Sequence, residues 1–218
     1  MIDRQSTAPS SHSEVAGDEG LRSLTGDFPE PEFQDLRRYA ELTSRGQAAE
    51  ALITVQRFIA EASRWDIRPR RQAAVRIAEA AWNSGSGPGS DTLPDPLWNE
   101  LVEPTLQQWA ADDDVALPHR LLALLDGPSL LHLRRAHELD PEDQLIAQRF
   151  AAALIRDIHF SAKHLGEIDI AKLEEAEHLV ASLQDDEVRQ SRTEDLDELR
   201  QRVTNQSPSD RRSTGSTR

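Results

Sequence analysis

The chain has 218 residues, no cysteine, and 39 acidic against 25 basic side chains, for a formal charge of -14. This composition excludes disulfides, thiol catalysis and cysteine-held metals, and a field of this sign repels polyanions, so neither nucleic acid nor an anionic membrane is an expected partner. Hydrophobic residues make up 37% and mean hydropathy is -0.62, which suits a flat stack of amphipathic helices better than a compact sphere; with no signal-like start and no spanning apolar run, the expected compartment is the cytoplasm.

Residues 1–27 are polar with isolated apolar side chains and read as a disordered N-terminal segment, because they bury too little surface to offset the entropy of ordering. A helical domain is expected over 28–204. Its first helix starts at Pro31, carries Phe33, Leu36, Tyr39, Ala40 and Leu42, and stops at Gly46, a residue able to take the left-handed conformation. The second places Ala48, Ala51, Leu52, Val55, Phe58, Ile59 and Ala62 at steps of three and four, one stripe on a 3.6-residue spiral. A third begins at Pro69, whose missing N–H is harmless in a first turn, and runs through Ala74, Ile77, Ala78, Ala81 and Trp82.

Residues 84–96 read SGSGPGSDTLPDP, a mixture of flexible Gly/Ser and stiff Pro expected to form either a hinge between two helical halves or a binding loop. Beyond it Asp95 reads as an N-cap, and a fourth helix carries Leu97, Leu101, Val102, Leu106 and Trp109, with Pro104 expected to kink or split it. A fifth helix is expected over Pro118–Asp126 and a sixth over Ser129–Leu139. Asp140 and Pro141 then read as the cap of a long seventh, reaching Gly166. The eighth starts near Asp169 and buries Leu173, Ala176, Leu179, Val180 and Leu183. The ninth is expected to open on the capping-box spacing of Ser191 and Glu194 and to end near Thr204. Residues 205–218 lack an apolar face and read as a disordered tail.

Two short stretches carry a resemblance. GQAAEAL at 46–52 looks like the turn and second-helix start of a tetratricopeptide repeat, with Ala51 at the small position, and AHELDP at 136–141 looks like the end of such a repeat. The aromatic and Gly positions of the repeat's first helix have no consistent counterparts, and extra residues follow around His164 to Asp169. The resemblance implies an all-α fold, a tetratricopeptide-like α-α superhelix of about nine helices stacked as antiparallel pairs. It also implies a concave groove that binds a protein or peptide, without catalytic residues.

Arg64, Arg68, Arg70, Arg71 and Arg76 form the one basic cluster of an acidic chain, with Trp65 and Trp82 close by. Arg and Trp dominate binding energy at protein interfaces because both offer large flat surfaces and Arg grips carboxylates with two bonds. The competing reading is a surface ion-paired with Glu61, Asp66 and Glu79 over tryptophans buried as core. Trp98 and Trp109, three turns apart on nearly one face, read as core. Asp112, Asp113 and Asp114 lack the alternation of a calcium loop and read as a solvated connection with a capping Asp. His132 with His137, and His159 with His164, are five residues apart, about 140° around a helix, so neither pair can chelate alone.

No nucleophile elbow or P-loop follows from the Gly and Ser positions. The expected function is therefore a non-enzymatic protein- or peptide-binding module with an adaptor or regulatory role, without cofactor, metal or catalytic residues. Two alternatives stay open: an immunity-type inhibitor whose acidic surface blocks a basic effector enzyme, and a metal-dependent enzyme assembled from the helix-borne histidines.

Overall fold

The computed structural model describes residues 30–83, 93–125, 127 and 129–206. The disorder expected over 1–27, the tail expected over 205–218 from residue 207 on, and the loop expected over 84–96 as far as residue 92, lie outside these residues; residues 205 and 206 belong to the last helix. Among the described residues there are nine helices and no strand. They fall into two compact units divided at Gly127.

In the first unit a 3-10 turn, Pro31–Phe33, leads into α1, Gln34–Ser44. Gly46, at φ +71°, ends α1. Its N–H donates to the Thr43 carbonyl at 2.9 Å and the Gln47 N–H to the Leu42 carbonyl at 2.9 Å, the paired bonds of a Schellman cap that satisfy carbonyls the helix leaves open. The chain thereby reverses into α2, Ala48–Ala62, which packs on α1. Its buried stripe is Ala51, Thr54, Val55, Phe58, Ile59 and Ala62. Ala48 and Leu52 do not join it: Ala48 is exposed and Leu52 is 51% exposed, because both sit at the margin of the stripe, beyond the face that neighbouring helices cover. Thr54 enters in their place, its hydroxyl donating to the Glu50 carbonyl at 2.8 Å, so burial leaves no polar atom unsatisfied.

α3, Ile67–Asn83, begins two residues ahead of Pro69. The first four N–H groups of a helix have no internal partner, so proline at the third position costs no bond. Ala73, Ala74, Ile77, Ala78, Ala80 and Ala81 are buried, a mostly small-residue face that allows close approach. α4 is discontinuous: an α turn, Asp95–Leu97, a π-helical segment, Trp98–Val102, and an α segment, Glu103–Asp112. Pro94, not Asp95, takes the cap position, without a side-chain bond. The break expected at Pro104 falls just upstream, where the Glu103 N–H reaches back five residues to the Trp98 carbonyl; Pro104 has no N–H with which to continue the regular ladder. α5, Ala116–Leu125, follows, and Gly127 takes φ +85°. Because α3 and α4, on either side of the loop, pack against each other, the division of the chain falls at Gly127 and not at the loop over 84–96.

The first core holds Val55, Phe58, Ile77, Leu97, Leu106 and Leu122, all at or below 1% exposure, each contributing roughly 1.5–3 kcal/mol by leaving water. Tyr39, Trp65, Trp82 and Trp109 pack on it half-buried.

The second unit contains α6, Leu130–Leu139, α7, Gln144–His164, α8, Ile170–Ala181, and α9, Asp186–Gln206. Asp140 closes α6, its N–H donating to Ala136 at 2.9 Å; the cap of α7 is Asp143, whose carboxylate accepts from the Ile146 N–H at 3.2 Å. Asp169 caps α8 through the Ala171 and Lys172 N–H groups, at the expected place. α9 starts five residues before the Ser191 and Glu194 spacing: Asp185 accepts from the Glu187 and Val188 N–H groups at 3.0 Å each, and an earlier aspartate followed by helix-compatible residues leaves Ser191 inside the helix. No described helix is long and apolar enough to cross a membrane.

Candidate functional site

Along α3, Arg68, Arg71, Gln72, Val75 and Arg76 recur at steps of one, three and four and share one face. That face forms one wall of an open groove of about 1160 Å³. Arg64 and Trp65, in the turn between α2 and α3, continue the wall. Glu30, Glu32 and Phe33, at the entry to α1, bound one side of the groove; Trp109 and Asp113, at the end of α4, with Val115 and Leu117, bound the other.

The aromatic side is a packed cluster. Trp65 meets Phe33 edge-on at 6.1 Å and Phe58 edge-on at 5.9 Å, and Phe33 lies 5.9 Å from Phe58. Such contacts hold a large ring in one orientation and add about 0.5–1.5 kcal/mol per pair beyond burial. Trp65 is therefore fixed from beneath and still lines the groove.

Two of the arginines are held in place. Arg71 lies over the Trp109 ring at 5.2 Å and pairs with Asp112 at 3.2 Å and with Asp113; its side chain is 18% exposed. Arg76 lies over the Phe33 ring at 5.1 Å and pairs with Glu30 at 2.9 Å. The hydrogen bond from Arg76 is the main reason the Glu30 carboxyl is held below its ordinary value of 4.5. Arg64 and Arg68 are exposed and make no ion pair among the described residues.

Of the seven residues singled out from the sequence, the fold brings Arg64, Trp65, Arg68, Arg71 and Arg76 to this groove and leaves out two. Arg70 turns toward α4, donating to the Gln108 side chain at 3.1 Å, and Trp82 packs half-buried on the core away from the groove lining. The ion partners also differ from expectation: Arg71 and Arg76 pair with Asp112, Asp113 and Glu30, not with Glu61, Asp66 or Glu79. The acidic residues at 112 and 113 are thus counter-ions to Arg71 rather than a merely solvated connection. Phe33, Trp109 and Asp113 are groove residues that sequence reasoning assigned elsewhere. Trp98 is core, at 4% exposure, while Trp109 faces the groove; the π segment between them takes up about one extra residue, which turns the register by about 100°.

His132, His137, His159 and His164, the two pairs noted in the sequence, lie in the second unit. His137 packs its ring 6.1 Å from Phe150 and lines a recess of about 400 Å³ with Arg134, Glu138, Glu175 and His178. His164 packs against Phe160 with ring centroids 4.5 Å apart and the planes tilted by 40°. Among the described residues, no group of three or more His, Asp and Glu side chains is placed to hold a metal ion. In comparisons with known proteins, no family model, no curated protein and no solved structure matches the chain.

Proposed function

We propose that the chain is a non-enzymatic binding module, with an adaptor or regulatory role, that takes a protein or peptide segment into the groove of its first unit. The observation that carries this reading is the convergence of Arg64, Trp65, Arg68, Arg71 and Arg76 on one open groove together with Phe33 and Trp109. These are the residue types that dominate interface energetics. Stacking and pairing hold Arg71 and Arg76 before any ligand arrives, so less side-chain entropy is lost on binding. A tetratricopeptide-like arrangement is the framework that fits this use. The α1–α2 hairpin, its Gly46 turn, and the buried small residues Ala51 and Ala136 within the two resembling stretches all support it.

The test exploits the exposure of Arg64 and Arg68, which can be reversed in charge without breaking an ion pair. The immobilised chain, its Arg64→Glu/Arg68→Glu variant and a second-unit control, Arg156→Glu, which is likewise exposed and outside any ion pair among the described residues, are compared in capturing partners from the native cell. A partner retained by the wild type and the control but lost by the groove variant is expected. A partner held equally by all three would remove the groove from the reading.

A further inference from the structure

We infer that the exposed face of α2 is an interface with a second copy of the chain, in which the two α2 helices lie antiparallel across a two-fold axis. The inference starts from a second apolar stripe on this helix. One side of α2 is buried against its own unit through Ala51, Thr54, Val55, Phe58, Ile59 and Ala62. At 100° per residue, Ala49, Leu52, Ile53, Gln56 and Ala60 fall together on another arc about 100° wide. None of the five is charged and all are exposed, Leu52 by 51% and Ile53 by 68%. A stripe of that width and composition is what a helix ordinarily turns toward a core. No residue of α2 lines the groove described above, so this face is separate from it.

Spacing and charge select the occupant. Ala49, Ile53, Gln56 and Ala60 follow one another at four, three and four residues, the alternation of a coiled-coil seam, whose natural occupant is another helix. Small residues stand at both ends of the seam and larger ones at its middle. A helix reversed on itself therefore sets Ala49 against Ala60 of the second copy and Ile53 against Gln56, and the alanine layers allow the backbones to approach closely. The Gln56 amide donates to Glu100 at 3.1 Å, so its polar end is engaged at the edge of the stripe. Glu50 and Arg57, seven residues apart, flank the seam on the same side. The antiparallel two-fold brings Glu50 of each copy opposite Arg57 of the other, so the match is made twice. A parallel pairing would instead set Arg57 beside Leu52 and lose it. Glu50 makes no ion pair among the described residues. Arg57 spends its Nε and one terminal nitrogen on Asp35 and is 66% exposed, with donors left over. Two copies that each carry a charge of -14 repel through most of their surfaces, and an uncharged stripe with opposite signs along its flank is where they can meet. At physiological salt the remaining repulsion is screened beyond about 8 Å.

The full chain is followed by sedimentation velocity over a concentration series reaching about 1 mM, because a single helix face lies at the small end of specific interfaces and calls for micromolar or weaker affinity. A reversible monomer–dimer equilibrium is expected. Ile53→Glu, at the middle of the seam, should weaken it about tenfold or more, and Glu50→Arg, which sets like charges opposite each other twice, about threefold or more. Ala60→Glu gives the same reading from the end of the seam should Ile53→Glu fold poorly. The chain has no cysteine, so introduced thiols report the register. Under oxidation a mixture of Ala49→Cys and Ala60→Cys chains should form a mixed disulfide dimer, while Ala49→Cys alone stays unlinked. A chain that remains monomeric throughout the series would overturn the inference, as would a dimer untouched by both seam variants or efficient linkage of Ala49→Cys to itself. A dimer abolished instead by Arg64→Glu/Arg68→Glu would place self-association in the groove and overturn it equally.

Discussion

Each unit contains an arginine laid over an aromatic ring and tied to carboxylates, and the two arrangements are built for different conditions. In the first, Arg71 lies over Trp109 and joins α3 to the end of α4 through Asp112 and Asp113, at 18% exposure. In the second, Arg134 lies 5.7 Å over Phe150 and forks onto Glu175 at 3.0 and 2.6 Å, joining α6 to α8, at 44% exposure. Water reaches the carboxylates of both; the difference lies in the guanidinium, which is sheltered on Arg71 and open on Arg134. The aromatic supply divides in the same direction: all four tryptophans and the single tyrosine lie before Gly127. The first unit concentrates rigid aromatic surface and held cations around one groove; the second fastens its helices with exposed ridge pairs such as Lys172–Asp157 and Arg200–Glu177.

The sharpest way to break this contrast is to remove the floor of the aromatic cluster. Phe58, at 1% exposure, touches both Phe33 and Trp65, so Phe58→Ala should cost about 3–5 kcal/mol in chemical denaturation and also shift the tryptophan emission. A stability loss without any spectral change would mean that the cluster does not order Trp65. Next comes the arginine comparison itself. Arg71→Met should lower stability by about 1 kcal/mol, because a sheltered guanidinium shared by two half-exposed carboxylates and a ring is lost, and Arg134→Met by less. Equal losses in thermal melts would erase the distinction between the units.

Gly46→Ala and Gly127→Ala test the turns that end α1 and follow α5. Both glycines have positive φ with no atom near an added Cβ, so the cost is purely conformational, about 1–2 kcal/mol each. The smallest effect is on pH dependence. Glu30 and Glu177 are held below 4.5, mainly by hydrogen bonds from Arg76 and Arg200. A depressed folded value means that their contribution is present above pH 4.5 and is lost as pH falls through the folded value. Glu177→Gln should accordingly flatten the acid side of the stability profile measured by denaturation below pH 4.5, and Glu30→Gln should do the same for the first unit; a profile unchanged by both would discount the two pairs.

Helix positions were readable because local spacing and local stop signals act over one or two turns. Gly46 and Asp169 function where the sequence placed them. The caps at Asp95, Asp140 and Ser191 were misplaced because several nearby residues can start a helix, and the competition is settled by which start lets the apolar face meet its neighbours. The arginine cluster was readable as a cluster. Its division into groove residues and Arg70 was not, since Arg70 and Arg71 differ by only 100° around α3 and the side that faced the groove depended on where α4 lay.

From the order of residues alone came the helical class, the turn at Gly46 and the candidate set Arg64, Trp65, Arg68, Arg70, Arg71, Arg76 and Trp82, five of which line the groove, since each rests on contacts within a few residues along the chain. Only the tertiary structure decided that Phe33, Trp65 and Trp109, far apart in sequence, would enclose one groove, and that Glu30 and Asp113 would engage two of its arginines. Those pairings span more than forty residues, and whether such distant groups meet depends on how helices stack, which no local spacing encodes.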